Sequence, residues 1–179
     1  RSGARPGDLV LVSGTIGDGA LGLKVHGPGK PAWVSTLSDC ERAHLTDRYL
    51  HPRPRYALAA ALQQHASAAM DISDGLVGDL AKLLAASGAD ADIDLDAVPL
   101  SIAARAVIMA DPALAELAWT GGDDYEILCT ASEKEYPALV AAAEGSMLLL
   151  TPIGRGAAAI SGRASAASGH GRSGVDRRR

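Results

Sequence analysis

The sequence predicts a single domain in which strands and helices alternate, closed by a basic tail. Three observations carry this reading. At 179 residues the chain has the size of one domain, with or without a tail. Apolar runs of strand length alternate with longer stretches whose leucines and alanines recur at helical spacing. The composition is 47% hydrophobic with 3% aromatic residues and no Phe, so one core of Ala, Leu, Val and Ile is expected.

Residues 9–12, introduced by Arg5-Pro6-Gly7-Asp8 and ended by Gly14, read as a buried strand. A glycine-rich turn at 13–20 leads into a short helix at 21–25, and a Gly/Pro loop covers 26–31. Residues 34–49 read as mostly helical, until His51-Pro52-Arg53-Pro54 breaks the chain. A helix is expected at 56–65 and a strand at 67–72. An amphipathic helix follows at 75–87, with Leu76, Leu80, Leu83 and Leu84 on one face. Alternation of Asp with apolar residues marks a half-exposed strand at 91–95, and Pro99 introduces a helix at 102–109. The last expected elements are a strand at 126–130, a helix at 133–143 and a strand at 147–150.

From Arg155 the composition changes to Arg, Gly, Ala and Ser, with six Arg against one Asp, and a disordered tail is expected at 155–179. Residues 1–154 then hold 11 basic against 20 acidic side chains, a body suited to divalent cations and unsuited to polyanions. Six scattered Arg without aromatic platforms read as a solvated coil, so no nucleic-acid partner is expected. No apolar stretch approaches the roughly 20 residues needed to span a bilayer, and residues 1–8 are polar where a signal peptide needs an apolar segment. Two cysteines, Cys40 and Cys129, are too few for a disulfide framework, and a reducing cytoplasm is the expected compartment.

The sharpest chemical feature is Met70-Asp71-Ile72-Ser73-Asp74-Gly75-Leu76, where a strand runs into a helix. Strand C-termini and helix N-termini converge at such junctions, and ligands bind there. Two carboxylates and a hydroxyl on this turn are hard oxygen donors of the kind Mg²⁺ takes, with water and phosphate completing the shell. The plainer alternative is that Ser73 or Asp74 caps the helix. Thr120-Gly121-Gly122-Asp123-Asp124-Tyr125-Glu126 reads either as a tight turn or as a ligand loop whose glycines admit close approach. Ser13-Gly14-Thr15-Ile16-Gly17-Asp18 offers backbone amides to an anion without matching a known phosphate loop. The Asp90, Asp92, Asp94 and Asp96 series lacks the Gly and Glu of a calcium loop and reads as a solvated strand edge. The five histidines show no metal-ligand spacing, and no Ser/His/Asp arrangement is legible.

Taken in order, Arg1-Ser2-Gly3-Ala4-Arg5-Pro6-Gly7-Asp8 and the three motifs around Gly14, Asp71 and Gly121 resemble the C-terminal half of thiamine-monophosphate kinase, over about residues 1–154. The resemblance implies an α+β fold, a layered α/β/α domain with a mixed sheet, as in the C-terminal domain of the aminoimidazole-ribonucleotide-synthetase (PurM-like) superfamily. It implies ATP- and Mg²⁺-dependent phosphorylation of thiamine monophosphate to thiamine diphosphate by direct in-line transfer. Asp71 and Asp74 are then the expected Mg²⁺ ligands, Ser73 and Arg1 the ATP contacts, and Asp123 the substrate contact, standing where the family usually has Glu. The family's N-terminal ATP- and metal-binding domain is expected to be missing, so the chain alone is expected to be inactive, and the full-length family is expected to dimerise. The alternatives are a non-catalytic orphan domain, or another superfamily member acting in purine biosynthesis or hydrogenase maturation.

Overall fold

The computed structural model describes residues 1–159. Its elements, in chain order, are β1 (Leu9–Ser13), α1 (Asp18–His26), α2 (Asp39–Leu50), α3 (Ala59–His65), β2 (Ala68–Ile72), α4 (Leu76–Ser87), β3 (Ala89–Ile93), α5 (Ile102–Ala110), α6 (Leu114–Thr120), β4 (Glu126–Ala131), α7 (Tyr136–Gly145) and β5 (Leu150–Ala158). Short 3-10 turns at Ala32–Thr36 and Tyr56–Leu58 replace the first residues of two expected helices, and one at Leu95–Ala97 starts at the last residue of the strand expected at 91–95.

The five strands form one sheet in the order β2-β4-β1-β5-β3. Every pairing is antiparallel, so the expected mixed sheet is corrected. The helical crossovers do leave β1, β2 and β3 pointing the same way. The chain then returns with β4 and β5, which fill the slots between them in the opposite direction.

Each strand's alternation feeds both faces of this sheet. Val10 and Val12 of β1 join Ile72, Leu128 and Ile153 against Leu76, Leu80 and Leu83 of α4. Leu9 and Leu11 join Cys129 and Ala131 against Leu58 and against Leu139 and Ala143 of α7. All five β1 residues are buried, and the α/β/α layering follows from that. A third cluster, with Leu21, Val25, Leu45, Val107 and Ala118, joins α1, α2, α5 and α6 beside the sheet. The single core expected from the composition is therefore three contiguous clusters.

Several boundaries differ for local reasons. Helix α2 starts at Asp39 because Ser38 and Glu41 form a reciprocal capping box, with Ser38 N–H donating to Glu41 Oε2 at 2.7 Å. Helix α6 was not anticipated, because its seven residues show little periodicity of their own. Strand β5 begins at Leu150 and runs to Ala158, taking in four residues assigned above to the tail. Pro152, Gly154 and Gly156 disguise it, and Pro152 is accommodated opposite Leu11 beside a register shift at Val10/Leu11. The rest of the expected tail lies outside the described residues.

Candidate functional site

The turn between β2 and α4 is shaped by a residue that the motif reading passed over. Gly75 adopts φ 106° with its α-carbon against the Thr120 carbonyl, a close approach that leaves no room for a Cβ. Neither Ser73 nor Asp74 caps α4. Instead Asp79, 1% exposed, reaches back one turn: its Oδ2 accepts the Ser73 and Asp74 amides, each at 2.9 Å. Its Oδ1 accepts Lys82 Nζ at 2.8 Å, and the same ammonium pairs with Asp74 Oδ2. Burial opposes ionisation of Asp79, but the Lys82 and amide hydrogen bonds hold its pKa below the usual carboxylate value. An acid within the Leu76/Leu80/Leu83 stripe was the available signal for this role. With the turn's amides taken by Asp79, the side chains of Asp71 and Ser73 serve neither as cap nor as turn support, and that of Asp74 pairs with Lys82 at the surface. Asp71 is exposed on β2, on the sheet face that carries α3.

The glycine-rich loop after α6 is stitched to this turn. The Asp123 amide donates to Ser73 O at 3.0 Å and the Tyr125 amide to Ile72 O at 2.9 Å. Asp123 and Tyr125 sit at φ 71° and 53°, left-handed backbone that non-glycine residues adopt only when surroundings hold them there. Asp123 is exposed beside Ser73, so the two motifs share one corner of the fold. Asp124 faces the other way and is fully buried. Its Oδ2 and Oδ1 accept the Gly17 and Gly19 amides at 2.7 and 2.9 Å. The amides at the end of this loop and the start of α1 are thus taken by the protein's own Asp124. Burial pushes this carboxyl up to about 7 against the pull of the two amides, and the neighbouring Asp18 charge adds to the rise. For Asp18, also fully buried, burial is outweighed by hydrogen bonds from His44, Ser101 (2.6 Å) and Thr15 (2.7 Å), and its pKa is lowered. His44 is raised in turn by that carboxylate.

Beneath the loop, Glu126 is buried between two guanidiniums that sequence inspection did not connect to it. It accepts Arg48 Nη2 at 2.9 Å, Arg55 Nε at 2.8 Å and Ser13 Oγ at 2.6 Å, and Arg55 Nη2 completes a bidentate pair. Arg48 also donates to the Asp124 carbonyl at 3.0 Å. Glu126 thus fixes both guanidiniums beneath the corner. Arg55, Tyr56, Leu62, Asp71, Tyr125 and Ile127 line a cleft of about 400 Å³ there. Apolar floor, aromatic walls and a few charged groups at the edge are the usual make-up of a small-molecule site.

Among the described residues no group of three or more His, Cys, Asp or Glu is placed to hold a metal ion alone. Asp71 at the end of β2 and Asp74 on the turn that follows are hard, solvent-facing oxygen donors. That donor set fits Mg²⁺ shared with phosphate and water, the arrangement in which this ion needs only one or two carboxylates. Arg1 is exposed ahead of β1, two residues before a backbone anchor. The amides of Gly3 and Ala4 bond Ser87 Oγ at the C-terminal end of α4, while the turn lies at its N-terminal end. A helix of 12 residues puts about 18 Å between them.

The family of AIR synthase related proteins, C-terminal domain, matches residues 5–171. The chain belongs to this family. Within it, the chain is 42% identical over 158 residues to a thiamine-monophosphate kinase of Caulobacter vibrioides, covering 86% of this chain and 42% of that protein. A crystal structure of thiamine-monophosphate kinase from Stenotrophomonas maltophilia superposes with a TM-score of 0.78 at 38% identity, over 88% of this chain and 49% of that one. AaThiL complexed with AMPPCP and TMP superposes with a TM-score of 0.68 at 32% identity, over 88% and 47% of the two chains. The chain thus spans about half the length of the relatives it matches. Among the described residues no helix is long and apolar enough to cross a membrane.

Proposed function

We propose that this AIR synthase related domain is the C-terminal part of a thiamine-monophosphate kinase, the half that carries one wall of the phosphoryl-transfer site. The observation that supports it most is the convergence of the Asp71–Asp74 turn and the Asp123 loop on one corner, joined by the Asp123–Ser73 and Tyr125–Ile72 backbone bonds. In this reading Asp71 and Asp74 hold Mg²⁺, Ser73 meets the ATP phosphates and Asp123 contacts thiamine monophosphate. Mg²⁺ supplies charge neutralisation on the transferring phosphoryl group, the principal requirement of such reactions. Asp79 keeps the turn's backbone in place, and the Tyr125 cleft offers a flat apolar surface to the substrate's rings. Arg1, exposed ahead of β1, is the second proposed ATP contact. The partner is an N-terminal domain that completes the site, in a dimeric cytoplasmic enzyme.

The test is ADP release from ATP, Mg²⁺ and thiamine monophosphate, run on this chain alone and mixed with the N-terminal half of the Caulobacter kinase. Turnover only in the mixture, abolished by Asp71→Asn, is the expected outcome. A folded mixture in which Asp71→Asn turns over as fast as the unaltered chain would remove the metal site from this corner.

A further inference from the structure

We propose that Lys82 is a tethered placeholder cation, which occupies Asp74 in the metal-free chain and yields that carboxylate to an arriving divalent ion. The proposal rests on the reading of Asp71 and Asp74 as metal ligands and names the residue of this chain that sets the ion's affinity.

An exposed lysine ordinarily moves freely, because holding its long side chain in one geometry costs as much entropy as a surface pair returns. Lys82 differs because it is anchored from inside. Its Nζ donates at 2.8 Å to Oδ1 of Asp79, a carboxylate whose side chain is 1% exposed. The other Asp79 oxygen is taken by the Ser73 and Asp74 amides. Lys82 is the one cation paired with that buried carboxylate among the described residues, so leaving would strand a buried charge. The same ammonium also bonds Asp74 Oδ2, and the Asp74 side chain is 70% exposed.

The two carboxylates sharing this ammonium are therefore unequal. Asp79 is enclosed and fully satisfied, whereas Asp74 is held by Lys82 and open to solvent on the turn that follows Asp71 and β2. A divalent ion coming from solvent competes with a monovalent cation for Asp74 alone. When the ammonium gives up Asp74 it keeps Asp79, so the exchange leaves no buried charge uncompensated. Until then the acidic turn is partly neutralised and repels nucleotide phosphates less.

Removing the ammonium should tighten divalent binding by about two- to fivefold, the worth of one exposed ion pair. The probe is Mn²⁺, titrated by electron paramagnetic resonance, with the N-terminal half of the Caulobacter kinase present, into the wild-type chain and into Lys82→Met, Asp71→Asn and Lys134→Met. Lys134 follows the far end of β4 and controls for loss of a positive charge in general. Tightening in Lys82→Met, no change in Lys134→Met and weakening in Asp71→Asn are expected. A second readout is acetylation of Lys82 by acetic anhydride, followed by mass spectrometry, which saturating Mg²⁺ should accelerate while leaving Lys134 unaffected. If Lys82→Met binds Mn²⁺ as the wild type does while Asp71→Asn binds it weakly, the placeholder is refuted and the metal reading stands. If Asp71→Asn binds Mn²⁺ as the wild type does, or no form binds it, the metal reading fails and the placeholder with it.

Discussion

Replacing Asp124 by Asn isolates a buried carboxyl that titrates near neutrality. The folded protein raises its pKa from 3.8 to about 7, so the native state binds this proton more tightly than the unfolded chain does. The stability it contributes is fully present below about pH 4 and is lost as pH rises through about 7. A shift of about three units corresponds to roughly 4 kcal/mol in all, of which about 2.5 kcal/mol falls between pH 5 and pH 8. Of the neighbouring groups with resolved shifts, His44 falls in this window and acts in both proteins alike. Asp18 and Asp79, both lowered, contribute stability that is lost only as pH falls below the ordinary carboxylate range. His44, raised by Asp18, loses its contribution as pH rises above its ordinary value of 6.5, with the same sign in both proteins. Asn keeps one acceptor for the Gly17 or Gly19 amide and loses the other, a pH-independent cost of about 1–3 kcal/mol. Urea unfolding at pH 5, 6, 7 and 8 should therefore show wild-type stability falling by about 2.5 kcal/mol more than that of Asp124→Asn. A difference between the two proteins that stays constant to within about 0.5 kcal/mol from pH 5 to pH 8 would refute the argument that burial outweighs the two amides.

Two further substitutions probe the frame of the site. Glu126→Ala leaves the Arg48 and Arg55 guanidiniums without their shared carboxylate and should cost about 3–5 kcal/mol by urea unfolding; a loss below about 1 kcal/mol would show the network to be energetically idle. The two α4-region glycines should respond in opposite directions. Gly75→Ala drives a Cβ into the Thr120 carbonyl at φ 106° and should destabilise by more than about 2 kcal/mol, whereas Gly78→Ala, inside the helix with open space around it, should stabilise by about 0.5–1 kcal/mol. Equal and small shifts for both in thermal unfolding would show that the turn does not require this close approach.

Local signals in the sequence were enough to determine β1, α1, β2, α4, α5 and β4, because strand and helix periodicity and the Gly and Pro breaks act over a few residues. The Asp71–Asp74 turn was legible for the same reason, since neighbours in the chain at a strand-to-helix junction are neighbours in space. The last strand was expected at 147–150 and overlaps β5 only at Leu150, because Pro152 and its two glycines look like a turn until β1 and β3 pair on either side of it. The inner supports of the site carried no local signal at all. Arg48 meets Glu126 across 78 residues and Asp124 meets Gly17 across 107, and no spacing rule links positions so far apart. The composition and motifs of this sequence determined an acidic α/β domain with a carboxylate-bearing turn. Only tertiary packing decided that Asp79 serves the backbone and not a ligand, and that Asp124 fills the amide cradle from within. Only packing, too, left Asp71, Asp74 and Asp123 facing solvent, since burial is set by which elements meet and not by the residues flanking each carboxylate.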